Sequence, residues 1–116
     1  MKYPLEGIKV VELARVLAGP WVGQVLSDLG AEVIKIESPE GDETRKWGPP
    51  FVQGESGDLD SAYFQSCNRG KRSIVLDLKD EDDLNVANKL IKKSDVLIEN
   101  FKVGGLKKYK LDYASV

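Results

Sequence analysis

The chain has 116 residues, 41% of them apolar and 31% charged, and its 17 basic and 19 acidic side chains nearly cancel; that suits one domain with a core and excludes a whole-surface field that would draw nucleic acid or an anionic membrane. Histidine is absent and Cys67 is the single cysteine, which removes His-based triads, imidazole bases, the usual zinc ligand sets and an intrachain disulfide framework. No apolar run approaches the ~20 residues that span a bilayer and Met1–Leu5 has no signal-peptide character, so the chain is read as cytoplasmic, with neither nucleic acid nor membrane as partner.

In chain order, Ile8–Leu13 is short, rich in β-branched residues and preceded by Gly7, which predicts a strand. Pro20 suits a first helical turn. Val22, Val25, Leu26 and Leu29 then recur at the spacing of one apolar helix face until Gly30 supplies a C-cap, predicting a helix of about ten residues. Glu32–Glu37 is the next strand, completing a β-α-β unit of the length a parallel crossover needs. Ser38–Asp60 is punctuated by seven glycines and prolines and is predicted to be a long loop, a site element or a subunit-contact arm, anchored by Trp47, Phe51 and Val52. Ser61–Asn68 is expected to form a short helix with Tyr63 and Phe64 facing inward.

Ser73–Asp77 reads as a third strand after the basic turn Arg69–Arg72. The clearest helix follows, with Asp80 as N-cap, Glu81, Asp82 and Asp83 in the first turn, Leu84, Ala87, Leu90 and Ile91 on one face, and Lys92 and Lys93 at the end, so that its charges oppose the macrodipole at both ends. Val96–Glu99 is a fourth strand, and Gly104–Tyr109 is expected to begin another helix. The alternation predicts an α/β fold, a Rossmann-like parallel sheet with flanking helices, in which ligands bind beyond the carboxyl ends of the strands.

Those ends are Leu13–Gly19, Glu37–Ser38, Asp77–Lys79 and Glu99–Lys102, the candidate site segments. Neither G-x-G-x-x-G nor G-x-x-x-x-G-K-[ST] occurs; Ala14-Arg15-Val16-Leu17-Ala18-Gly19-Pro20 follows the first strand instead, which disfavours a standard NAD domain and a P-loop hydrolase. Two cationic clusters, Arg69, Lys71 and Arg72, then Lys102, Lys107, Lys108 and Lys110, could hold phosphate or could simply form a solvated face. Cys67, with no histidine to activate it, is read as a partly buried small side chain. Gly19 and Gly30 suit a sharp turn and a C-cap.

Pro4–Leu13, Ala18-Gly19-Pro20 and Asp28–Glu37, followed by Gly41–Arg45, Trp47–Phe51, Tyr63-Phe64, Asn68–Ile74, Leu76–Lys79 and Asp95–Phe101, together resemble the opening of the family III CoA-transferases, the CaiB/BaiF group. The resemblance runs along essentially the whole chain. It implies a CoA-transferase that moves CoA between carboxylic acids through an aspartyl-CoA thioester, with acyl-CoA and a carboxylic acid as partners, coenzyme A as substrate with no permanently bound cofactor, and an interlocked homodimer. It implies that residues 1–116 are an incomplete N-terminal part of the large domain, that the nucleophilic aspartate lies beyond Val116, and that this segment alone is inactive. Carried over by position, Val16, Leu17 and Ala18 would line the CoA channel, Leu76, Asp77, Leu78 and Lys79 would contact its adenine and phosphate end, and Asn100, Phe101 and Lys102 would flank the pantetheine or diphosphate.

Lys108 would add a charge where the family often has arginine, without the bidentate geometry, and Ser38 stands where some members have a basic residue. Asp28, Asp77 and Asp95 are expected to be structural or ligand-binding rather than nucleophilic. Trp21 and Trp47 are read as packing residues, Trp47 alternatively as a cover over the CoA channel or a partner subunit. An acyl-CoA racemase of the same fold, and a non-catalytic α/β binding module, are the alternative readings.

Overall fold

In the computed structural model, which describes residues 2–116, four short strands form one parallel sheet: β1 (Lys9–Glu12), β2 (Glu32–Glu37), and, after an excursion carrying β3 (Phe51–Gln53) and β4 (Leu59–Ser61), β5 (Arg72–Val75) and β6 (Val96–Ile98). Their order is β5-β2-β1-β6. Val10 lies opposite Val33 on one side of β1 and opposite Val96 on the other. With neighbours on both edges and helices on both faces, β1 needs apolar side chains in succession rather than alternation; Val10, Val11 and Leu13 are all buried.

Two apolar layers result. Val11, Ile36 and Leu76 pack with Ala87 and Ile91 of α3 (Glu81–Lys92), and Leu106 and Leu111 close that layer. On the other face Val10 and Val33 meet Leu26 of α1 (Ala18–Asp28) and Ile98. α3 forms as its local sequence predicts: the Asp80 carboxylate accepts from Asp83 N, Glu81, Asp82 and Asp83 fill the first turn, and Lys89 and Lys92 lie in the last.

α1 is a helix where one is predicted, but the other way round. Val22, Val25 and Leu29 are 49%, 44% and 40% exposed, and the buried face is Gly19, Pro20, Gly23 and Gln24. The cause is distance. A Cβ on Gly19 would come within 2.3 Å of the Ala14 Cβ, and one on Gly23 within 1.9 Å of Glu12 Oε1, so the helix lies too close to β1 for larger side chains.

The stretch 38–60 is not the structureless loop expected. It holds a 3-10 turn, Glu43–Lys46, whose first residues are capped by Asp42, and the antiparallel hairpin of β3 and β4, followed by α2 (Ala62–Ser66). Three-residue strands with mostly exposed side chains carry no readable alternation. Tyr63 and Phe64 are half-buried within the excursion: Trp47 meets Tyr63 edge-on at 5.1 Å and the Arg45 guanidinium lies 3.9 Å over the Phe64 ring. Gly104–Tyr109 closes only as a 3-10 turn at Lys107–Tyr109, ended by Lys110 in the left-handed region. Among the described residues no helix is long and apolar enough to cross a membrane.

Candidate functional site at the carboxyl edge of the sheet

The segments leaving the four parallel strands converge, as they must at one edge of such a sheet. They enclose an open cleft of about 330 Å³ with Leu13 and Arg15 after β1, Glu37–Asp42 at the end of β2 and beyond, Leu76–Lys79 after β5, and Phe101 and Tyr109 after β6. Of the residues singled out from the sequence, Leu76, Asp77, Leu78, Lys79 and Phe101 stand on its wall. Val16, Leu17, Ala18, Asn100, Lys102 and Lys108 do not. Val16 and Leu17 form the turn into α1, which Ala18 begins; Lys102 is exposed and Lys108 lies 5.0 Å over the Tyr109 ring.

The Asn100 side chain is engaged internally, accepting from Arg15 N at 3.1 Å and donating to Arg15 O at 2.8 Å. Asp28 ends α1, Asp77 caps the turn after β5 by accepting from Lys79 N, and Asp95 precedes β6 and accepts from Lys9 N.

Beneath the cleft lies a set of buried charges absent from the sequence-based expectations. The Lys35 ammonium, 1% exposed, donates to Glu12 Oε2 at 2.9 Å and to the Ala14 carbonyl at 2.9 Å, and makes an ionic contact with Asp42 Oδ2 at 3.0 Å. Lys71 reaches Glu12 Oε1 at 2.8 Å, an ionic contact rather than a well-aligned hydrogen bond, and donates to Pro20 O and Asn68 Oδ1. Burial pushes the Lys71 ammonium below its ordinary range against the pull of Glu12. Burial works against ionisation of Asp42 as well, but the Thr44 N–H and hydroxyl and Lys35 outweigh it and hold the carboxyl low.

For Glu37, burial is again the largest single influence, and the Arg45 guanidinium, the Ser73 hydroxyl and Asp42 N together overcome it, bringing its pKa down to about 2. The legible trace of all this is Lys35 itself, a charge inside the otherwise apolar Val33–Ile36 of an inner strand, where an unpaired ammonium would not be tolerated.

The first cationic cluster is paired with carboxylates, two of its members at the surface and one inside. Arg69 pairs with Asp28 at 2.6 Å, Arg72 pairs with Glu32, and Lys71 belongs to the buried set. Lys102, Lys107 and Lys110 stay exposed, and Lys79 stands at the cleft mouth. Cys67 is wholly buried rather than partly so, and burial pushes its thiol up, the direction of an inert side chain. Trp47 packs on Tyr63 while remaining 42% exposed.

A parallel sheet with helices on both faces and a cleft at its carboxyl edge places the chain in the doubly wound α/β class. Within that class, the model of CoA-transferase family III matches residues 5–116, and the chain belongs to that family. It is similar to the succinate–glutarate CoA-transferase of Agrobacterium fabrum, with 59% identity over 99% of this chain and 29% of the relative. It is 46% identical to the human succinyl-CoA:glutarate CoA-transferase over 97% of this chain and 25% of that protein. Among solved structures, a CaiB/BaiF family protein from Brucella suis superposes with a TM-score of 0.95 and 62% identity, over 99% of this chain and 30% of that one. The chain thus spans under a third of the length of these relatives.

Proposed function

We propose that this chain is the N-terminal, CoA-gripping part of a CoA-transferase that exchanges CoA between C4 and C5 dicarboxylic acids. The reading is carried by the cleft at the carboxyl edge of the sheet, on a chain 59% identical to a succinate–glutarate CoA-transferase. Leu76–Lys79 and Phe101 line the entry for coenzyme A, with Lys79 and the exposed Lys102, Lys107, Lys108 and Lys110 supplying positive charge toward phosphate. Val16–Ala18 and Asn100 border that entry as the turns after β1 and β6.

The reacting carboxylate is an aspartate beyond Val116. Glu37 and Asp42, the carboxylates that end β2 and follow it, are held by Arg45, Ser73, Thr44 and Lys35, which favours a nucleophile from elsewhere. That aspartate attacks the donor thioester and expels CoA thiolate to give a mixed anhydride; the thiolate returns to the aspartyl carbonyl and releases the donor acid. The acceptor carboxylate then attacks the aspartyl-CoA thioester and expels CoA thiolate to give a second mixed anhydride, and the thiolate attacks the acceptor's acyl carbonyl, forming acceptor acyl-CoA and freeing the aspartate.

Residues 1–116 alone are inactive on this reading, and the whole protein is a cytoplasmic homodimer. The exposed apolar face of α1, Trp21, Val22, Val25 and Leu29, favours further protein covering this segment. Succinyl-CoA and glutarate given to the full-length protein should yield glutaryl-CoA and succinate. Lys79→Glu should raise the KM for succinyl-CoA about tenfold, the size of one lost charge-assisted phosphate contact. Absence of any transfer among dicarboxylates, or a KM indifferent to Lys79→Glu, would sink the assignment.

A further inference from the structure

Val16 is β-branched and yet has φ +72°, a conformation such a side chain adopts at a cost and keeps only where its surroundings over-determine it. Four separate segments hold it there. From β2, Lys35 donates to Ala14 O. From the following loop, Asp42 Oδ2 accepts from Val16 N at 3.3 Å. Behind α2, the Cys67 thiol donates to Val16 O at 3.4 Å. After β6, the Asn100 amide takes both polar backbone groups of Arg15.

Asn100 in particular continues the sheet. Glu12 pairs with Ile98, and Leu13 N donates to Ile98 O; two residues further on, where β6 has ended, a side-chain amide replaces the missing main chain opposite Arg15. We infer that Asn100 and Asp42 are positioning residues that hold the Ala14–Leu17 elbow in its left-handed turn. The elbow places Arg15 on the cleft wall and starts α1 beside it. The consequence for coenzyme A rests on the function proposed above.

The experiment is a double-mutant cycle in the full-length protein: Asn100→Leu and Val16→Gly, singly and together, read by calorimetric titration with CoA. Glycine adopts positive φ without the steric cost, so removing the strain makes the brace dispensable. Asn100→Leu should weaken CoA about tenfold in the presence of Val16, the sum of two modest hydrogen bonds, and no more than about twofold in the Val16→Gly background. Equal losses in both backgrounds would show that Asn100 acts on CoA independently of the elbow and overturn the proposal.

Hydrogen exchange separates this from the functional reading. Asn100→Leu should speed exchange of the Arg15 and Val16 amides with no ligand present. Unchanged protection refutes the brace, whereas faster exchange in a protein whose parent binds no CoA supports the brace and refutes the function.

Discussion

α1 and α3 cover opposite faces of the same sheet by opposite means. α3 is encoded by its own residues: a capping aspartate, acids first and lysines last, and apolar side chains on the face that meets Ile36 and Leu76. α1 has no side-chain cap, no acid in its first turn and no base in its last. Its most buried residues are glycine, proline and glutamine; Leu26 reaches the Val10–Val33 layer, but Val22, Val25 and Leu29 are exposed. What places α1 is the ground beneath it, the Glu12–Lys35–Lys71 charges and the braced elbow. A helix with a strong local code can lie over an apolar layer; one laid over buried ions takes its position from tertiary contacts, and its periodicity misreports its orientation.

The strongest way to break the contrast is to remove the charge under α1. Lys35→Met leaves Glu12 and Asp42 facing each other without their shared cation, and should cost about 3–5 kcal/mol of stability, the usual price of orphaning a buried ionic partner. Thermal unfolding of the full-length protein measures it; a loss under about 1 kcal/mol would mean the network does not hold α1. Gly23→Ala comes next. Helix propensity alone predicts a gain of about 1 kcal/mol, whereas the 1.9 Å approach to Glu12 Oε1 predicts a loss of about 1–3 kcal/mol. The sign of the change in Tm decides which account governs α1.

Acid should then loosen the β2 end. Glu37 has its pKa lowered from 4.5 to about 2, so its contribution is present above the unfolded value and is lost as pH falls through that window. After allowance for solvent screening this amounts to about 1–2 kcal/mol, and Glu37→Gln should flatten the stability-against-pH curve between those limits. The smallest effect falls on α3, where Asp80→Ala should cost about 1 kcal/mol through loss of the cap to Asp83 N. Denaturant midpoints at unchanged slope check it.

Much of the fold was legible because parallel strands between helices carry short, dense signals. β2 spans the predicted Glu32–Glu37, and β1, β5 and β6 fall within a residue or two of expectation. The site was legible as an edge: four strand ends were named and residues from all four line the cleft. Its inner layer was not. Lys71 resembles a solvent-facing cation until Glu12 is brought beside it, and a pairing so distant in sequence leaves no periodic trace. The hairpin at 51–61 was missed for lack of length, and the outward stripe of α1 because Gly19 and Gly23 look like turn or propensity defects rather than the contact face.

Because β1 sits between β2 and β6, its two edges are satisfied at different moments of synthesis. The first partner follows closely, but the second is not made until the ribosome has added the whole stretch from the end of β2 to Val96, on the order of 3–12 s at cellular elongation rates. Through that interval the nascent chain offers an unpaired strand edge, the kind that recruits foreign strands. The protecting contacts, Lys9 N to Asp95 and Arg15 to Asn100, close loops of 86 and 85 residues, so chaperone demand during translation should fall sharply once β6 has emerged.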